Sequence, residues 1–184
     1  MSAEIVVFTD GACRGNPGPG GWGWAVASGG GEVGLDGAVC SGAEAVSTNQ
    51  RMEVWAVFDA LTTLLAITDG PVAVVSDSTY VVNCFRDGWW RGWEKRGWKN
   101  SQKQPVANQD LWRPLVELYK GDAGRIRFQW VKGHSGNAMN DRVDELAVAA
   151  AATQSPRQQV GGPVAVAAEV AVVAVVDADQ GSLF

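Results

Sequence analysis

The chain has 184 residues, of which 46% are hydrophobic and 19% charged, as expected for one soluble globular domain with a full core. Its three scattered cysteines lack a CxxC spacing, which excludes a disulfide framework and a zinc site and favours a cytoplasmic protein. The N-terminus has no leader pattern, and the apolar run near the C-terminus is shorter than the ~20 residues of a membrane span. The net charge of −5, taken alone, disfavours nucleic acid as a partner.

The first part of the chain predicts strands followed by a long helix. Short apolar runs rich in β-branched residues predict buried strands, alternating runs predict a hairpin, and Gly/Pro clusters predict loops. In chain order these are a strand over 4–8, a loop over 15–21, a hairpin of strands over 22–28 and 33–41, and a helix from Ser47 or Thr48 to about Ile67.

The second part predicts two further strands and three helices, with a fourth, short helix inside a basic segment. The first two elements are a strand over 72–76 and a helix capped by Asp77 or Ser78 and ending near Phe85. A Trp-rich basic segment over 87–109, which contains a short helix, follows them. The last three elements are a helix over 110–120 with Pro114 in its first turn or at a kink, a strand over 125–131 and a helix from Asp141 to about Ala152. Together they predict an α/β fold with a mixed five-stranded sheet flanked by helices.

Residues 155–184 differ in composition, being rich in Ala and Val and of low complexity. We expect a domain over 1–154 and a dispensable C-terminal tail that is disordered or loosely docked.

One stretch of the chain is basic although the whole is acidic. Residues 86–103 contain six Lys or Arg against two Asp or Glu, a local charge of +4. A basic segment on an acidic body suggests a phosphate-binding arm beside a carboxylate-rich centre.

Four carboxylates fall where helices and strands meet in the predicted sheet: Asp10, Glu53, Asp77 and Asp144. Singly, each has an ordinary interpretation as a turn former, a helix cap or a solvated helix charge. Together they indicate a ligand site, because Asp10 and Asp77 follow apolar strands and so reach the crevice that open α/β sheets use for ligands. Clustered carboxylates need a counter-charge, and oxygen ligands favour Mg²⁺ or Mn²⁺.

The segments around these residues read FTDGACRGNPGPGGWG, TNQRMEVWA, VVSDSTYV and WVKGHSGNAMNDRVDELA, with WEKRGWK and NQDLW as two further blocks. These segments resemble, in the same order, those of bacterial ribonuclease H type 1. The likeness spans residues 4 to about 154. It implies a ribonuclease H-like fold with a basic Trp-rich protrusion.

The resemblance implies an endoribonuclease that hydrolyses the RNA strand of RNA–DNA hybrids with little sequence specificity. The four carboxylates would hold two Mg²⁺ (Mn²⁺ being possible) with the scissile phosphate between them, and the products would carry 5′-phosphate and 3′-hydroxyl ends. His134, the single histidine, would be an auxiliary catalytic group that relays protons or aids product release. The protein would be a monomer.

The resemblance also implies which residues contact the hybrid. Ribose 2′-hydroxyls along the minor groove would meet a first set: Gly11, Cys13, Arg14, Asn16, Asn49 and Gln50. The DNA strand would be gripped through phosphate contacts and aromatic surfaces by the basic arm: Trp89, Trp93, Lys95, Arg96, Trp98 and Lys99. Gln50 and Thr79 depart from residues common in the family, which puts their substrate contacts in doubt and leaves the metal ligands untouched.

Two other interpretations stay open. An integrase or resolvase of the same superfamily also clusters carboxylates, but lacks the Trp-rich arm and the GHSGN loop in this arrangement. A non-catalytic hybrid-binding module would be expected to have lost at least one of the four acidic residues, and all four are present.

Overall fold

The computed structural model describes residues 3–27 and 37–162, and within them a mixed sheet of six strands carries five helices. The strands are β1 (Ile5–Cys13), β2 (Gly18–Val26), β3 (Val39–Ser47), β4 (Val72–Ser76), β5 (Ile126–Trp130) and β6 (Gln158–Val160). The helices are α1 (Asn49–Leu65), α2 (Thr79–Arg86), α3 (Trp89–Lys95), α4 (Gln109–Asp122) and α5 (Ala138–Thr153). This is an α/β fold with a mixed sheet flanked by helices, as predicted.

The sheet combines a parallel and an antiparallel part. Its strand order is β5-β4-β1-β2-β3-β6. β1, β4 and β5 run parallel, whereas β2, β3 and β6 add on antiparallel to their neighbours. The last paired residues of β1 and β4 are Thr9 and Ser76. The residues that follow them therefore emerge side by side at the carboxyl ends of two adjacent strands.

Helices cover both faces of the sheet, and glycines in β2 let them approach closely. A Cβ on Gly20 would lie 2.8 Å from the Met52 side chain of α1, whereas one on Gly21 would lie 2.2 Å from the backbone of Ala147 in α5. Since successive residues of a strand point to opposite faces, α1 and α5 lie on opposite sides. The larger core is on the α1 side and buries the side chains of Trp22 and Trp24.

The predicted helix starts are confirmed or shifted by capping residues. Thr48 accepts a hydrogen bond from the Arg51 amide at 3.2 Å, so it caps α1 in preference to Ser47. Ser78 caps α2. α5 begins at Ala138, earlier than the predicted Asp141, because the Asn137 side chain accepts hydrogen bonds from two backbone amides of its first turn. Pro114 is the sixth residue of α4, beyond the first turn, and the helix continues through it.

Three strands differ by several residues from their predicted bounds. β1 runs on to Cys13, whereas the predicted strand ends at residue 8. The prediction of a loop over 15–21 is wrong in its second half, since β2 begins at Gly18 and pairs with both neighbours. β3 runs over Val39–Ser47 rather than 33–41, and residues 33–36 of that prediction lie outside the described residues. Gly18, Gly20 and Gly21 hid the start of the strand from a prediction based on composition, because the close packing of Gly20 against α1 and of Gly21 against α5 is not visible in the sequence.

The sheet does not stop at the expected domain boundary. β6 pairs antiparallel with β3 over 158–160, which makes six strands rather than five. Just before it, Arg157 donates to the Asp59 carboxylate of α1 at 2.8 and 3.1 Å. Asp59 also accepts from the Trp24 indole at 2.8 Å. The start of the tail is therefore attached to the domain. Residues 163–184, the rest of the predicted tail, lie outside the described residues.

Candidate active site

Two of the four carboxylates come together through strand register. Asp10 follows Thr9 in β1, Asp77 follows Ser76 at the end of β4, and the strands are parallel and adjacent. Asp10 is 5% exposed, and its Oδ1 accepts a hydrogen bond from the Gly11 amide at 2.8 Å. Asp77 is half-buried. Because these residues follow paired positions, their carboxylates share one end of the sheet.

Glu53 is brought to them by a close contact between α1 and β1. A Cβ on Gly11 would lie 2.4 Å from the backbone nitrogen of Glu53, so only glycine lets the first turns of α1 approach so closely. Oxygen atoms of Asp10, Glu53 and Asp77 lie within 4.8 Å of one another. Glu53 Oε2 is buried and has no hydrogen-bond partner among the described residues. Three clustered carboxylates with an unsatisfied oxygen form a site that a cation would complete.

Asp144 approaches the group from the other face of the sheet. It is half-buried on α5, one residue after Val143, which packs with Phe8, Ala25 and Val75. Its charge is close enough to raise the pKa of Asp10. Its oxygens are not within the mutual 4.8 Å of the other three. The structure thus brings three predicted ligands together and places the fourth beside them.

Burial and mutual repulsion favour the protonated forms of the two most enclosed carboxyls. Burial raises the pKa of Asp10, the charges of Asp77 and Asp144 raise it further, and hydrogen bonds from Glu53 and Gly11 oppose the rise. Burial likewise raises the pKa of Glu53 well above its usual range, as do the charge of Asp10 and the hydrogen bond to it. Asp10 and Glu53 are hydrogen-bonded to each other, and burial of both carboxyls favours a shared proton between them in the metal-free site. A bound cation would replace it.

Comparison with known proteins identifies the family. The RNase H family model matches residues 2–152. The chain is 50% identical over 151 residues to Ribonuclease H of Moorella thermoacetica, covering 81% of this chain and 92% of that one. The chain belongs to the RNase H family.

Solved structures of this family have the same fold. LC9-RNase H1, a type 1 RNase H with the type 2 active-site motif, is 30% identical with a TM-score of 0.72, over 87% of this chain and 79% of that one. LC11-RNase H1, solved in complex with an RNA/DNA hybrid, is 23% identical with a TM-score of 0.61, over 81% of this chain and 97% of that one. At that identity the second likeness concerns the fold alone.

His134 lies at the rim of the carboxylate group. It is exposed, with φ of 53°, in the loop between β5 and α5. Its neighbour Gly133 abuts the site, since a Cβ there would lie 2.6 Å from Asp77 Oδ2. The histidine thus follows a residue that abuts the site and is itself exposed, and its auxiliary role stays a prediction.

The residues predicted to contact the minor groove surround the start of α1. Arg14, Asn16, Asn49 and Gln50 are exposed, whereas Gly11 is half-buried and closely packed. Asn16 Oδ1 accepts from the Asn49 amide at 3.3 Å, which joins the two segments. The Cys13 thiol is turned inward and donates to the carbonyls of Gly18 and Ser47, both at 3.3 Å. A contact through the Cys13 side chain is therefore less supported than one through its neighbours.

The basic segment divides into a packed aromatic side and an exposed charged side. Trp93 and Trp98 are half-buried against the core, and Trp93 meets Trp112 edge-on at 5.5 Å between ring centroids. Trp89 is 39% exposed. Lys95, Arg96 and Lys99 are exposed. Most of the tryptophan surface thus serves packing, and the cations with Trp89 form the surface open to a partner.

Two residues at the site were not anticipated from the sequence. Asn140, 2% exposed on α5, donates from Nδ2 to Asp77 Oδ2 at 3.2 Å. Trp130, at the end of β5, donates from its indole to the Asp77 carbonyl at 3.0 Å. A signal for the first existed, because Asn140 stands four residues before Asp144 and so shares its helix face.

Among the described residues, no helix is both long and apolar enough to cross a bilayer.

Proposed function

We propose that this protein is an endoribonuclease that hydrolyses the RNA strand of RNA–DNA hybrids with the help of divalent cations. The observation that carries the proposal is the group of Asp10, Glu53 and Asp77, whose oxygens lie within 4.8 Å of one another, in a chain of the RNase H family. The products would have 5′-phosphate and 3′-hydroxyl ends.

The chemistry of the donor set supports a hard divalent cation. All candidate ligands are carboxylate oxygens, which favour Mg²⁺ or Mn²⁺ over softer metals. The buried and unsatisfied Glu53 Oε2 is the kind of atom that a cation would engage. Asp10, Glu53, Asp77 and Asp144 would hold the ions, two in the family's mechanism. When bound, such ions activate the attacking water and stabilise the leaving oxygen of a phosphodiester.

The chain's own groups would prepare the site and deliver protons. Burial raises the pKa of Glu53, so cation binding at this carboxyl would be coupled to the release of a proton. His134, exposed at the rim, would exchange protons with solvent and with the leaving group. Because it lies outside the carboxylate group, its contribution is auxiliary.

The surfaces beside the site suit a hybrid duplex. Asn16, Asn49 and Gln50 offer amide groups on one side of the carboxylates, where 2′-hydroxyls of an A-like minor groove could be contacted. Lys95, Arg96 and Lys99 offer charge for the phosphates of the DNA strand. LC11-RNase H1, a protein of this fold, has been solved with such a hybrid. A cytoplasmic location and a monomeric state remain predictions.

Cleavage of a uniformly labelled RNA–DNA hybrid tests the proposal. The assay compares the hybrid with single-stranded RNA and double-stranded RNA, with and without Mg²⁺, and includes Asp77→Asn. Magnesium-dependent cutting of the hybrid RNA alone, abolished in the variant, is the expected result. Tight hybrid binding without cutting under Mg²⁺ or Mn²⁺ would instead favour the non-catalytic binding module.

A second comparison tests the fourth carboxylate. Asp144→Asn is expected to abolish cutting, whereas Glu145→Gln, the adjacent exposed acid on the same helix, should leave it unchanged. The pair removes the same formal charge from the same turn of α5, so equal effects would argue against a specific role for Asp144.

A further inference from the structure

The Asp77 carboxylate is held by a buried amide from a different layer of the fold. Asn140 Nδ2 donates to Asp77 Oδ2 at 3.2 Å, although the two residues are 63 positions apart in the chain. Asn140 is 2% exposed. A buried amide aimed at a carboxylate in a candidate metal site has a role beyond filling space.

The other end of that amide has no partner. Asn140 Oδ1 is buried and accepts no hydrogen bond among the described residues. Reversing the amide would place its oxygen against a carboxylate oxygen, which is repulsive, so the charge of Asp77 fixes the amide orientation. Leaving a buried carbonyl unsatisfied costs free energy. An apolar residue of the same size would avoid that cost, so an isolated core position would favour one.

Two further contacts fix Asp77 from the β5 side. The Trp130 indole donates to the Asp77 backbone carbonyl at 3.0 Å. Gly133 lies against the carboxylate, since a Cβ there would be 2.6 Å from Oδ2. Asp77 is therefore confined on one side, and Asn140 is the contact that joins it to α5.

The link matters because α5 also carries Asp144. Asn140 and Asp144 are four residues apart and so lie on one face of the helix. A bond from Asn140 to Asp77 therefore sets the rotation and height at which Asp144 faces the other three carboxylates.

We infer that Asn140 is a positioning residue for the metal site: it orients the Asp77 carboxylate and fixes α5 so that Asp144 completes the ligand set. The inference rests on the proposed function. Its direct consequence concerns cation affinity, which is measurable without turnover.

Asn140→Leu is the sharpest test, because leucine keeps the volume and removes both the donor and the unsatisfied oxygen. We expect Mg²⁺ or Mn²⁺ affinity, measured by calorimetry on the metal-free protein, to fall about 10–100-fold, the usual effect of losing a group that orients a ligand. The melting temperature should stay or rise. KM for the hybrid should be unchanged, and kcat should fall at low Mg²⁺ and recover in part at high Mg²⁺.

Asn137→Ala is the matched control on the same helix. The substitution removes the side-chain amide that caps α5. Within the described part of the chain, the Asn137 side chain has no hydrogen bond to Asp77. The substitution should lower the melting temperature and leave cation affinity unchanged. Asn140→Ala tests the same contact if the leucine variant does not fold.

The outcomes separate the two proposals. If the wild type cuts hybrids and the Asn140 variants have the same cation affinity and kcat as Asn137→Ala, the positioning role is overturned and the proposed function stands. A wild type that binds Mg²⁺ but cuts nothing overturns the proposed function, while a selective loss of affinity in Asn140→Leu would still support the positioning role. A wild type that binds neither cation overturns both.

Discussion

Stopping the chain after Gln154 removes β6 and Arg157, and we expect it to lower the melting temperature. Without them, β3 loses its antiparallel partner over 158–160. Asp59, whose side chain is 15% exposed, loses both hydrogen bonds from Arg157 and keeps those from Trp24 and Cys40. The truncation therefore opens one edge of the sheet and leaves a mostly buried carboxylate with less compensation.

The size of the effect follows from these contacts. Each backbone hydrogen bond between β3 and β6 makes a net contribution to stability of about 0.5–1.5 kcal/mol. A hydrogen bond to a charged group contributes about 1.5–3 kcal/mol. Because Arg157 is 41% exposed, the lower end applies to the ion pair. The total is about 2–4 kcal/mol. At about 2–4 °C per kcal/mol for a chain of this size, the melting temperature falls by about 4–16 °C.

The matched truncation stops after Gly162, which retains every described contact of the tail. Thermal unfolding of both truncated chains and of the full chain, followed by circular dichroism, gives the comparison. Arg157→Gln in the full chain should lose only the part due to the ion pair. Equal melting temperatures for the two truncated chains would refute the reasoning and restore the expectation that the tail is dispensable from residue 155.

Three further predictions concern the site. Since the pKa of Glu53 is raised in the folded protein, the metal-free protein should lose stability as the pH rises above the pKa of this group in the unfolded chain. Mg²⁺ should therefore raise the melting temperature more at pH 8 than at pH 6, and an equal rise at both pH values would contradict this. Gly11→Ala should destabilise the fold by at least about 1–3 kcal/mol and impair cutting, because its Cβ would meet the Glu53 backbone, whereas Gly121→Ala, with open space, should be neutral or stabilising in a denaturant titration. His134→Ala should lower kcat by less than Asp77→Asn does, and complete loss of activity would show that the histidine is indispensable.

Local patterns in the sequence determined most of the secondary structure. The apolar run over 72–76 predicted β4 at its observed bounds, and Thr48 and Ser78 marked helix starts correctly. These predictions succeed because burial of β-branched runs and capping of free amides depend on neighbours in the chain. The four carboxylates were also identified from their neighbours in the chain, because each lies in a segment typical of the RNase H family.

Other features depended on contacts between distant residues. The start of β2 looked like a loop because the packing of Gly20 against α1 and of Gly21 against α5 appears only in the fold. β6 escaped prediction because a three-residue strand has too little pattern of its own and forms by pairing with β3. The contact of Asn140 with Asp77 joins residues 63 apart.

The residues that could carry the chemistry were therefore identifiable from their types and spacing in the chain, whereas the way they meet depends on long-range packing. Asp10 and Asp77 are neighbours because β1 and β4 pair in parallel with Thr9 beside Ser76, a register that no local pattern encodes. Glu53 joins them because Gly11 has no side chain. The physical reason is that strand register and helix approach are set by long-range packing, whereas the identity and spacing of charged residues can be read directly from the chain.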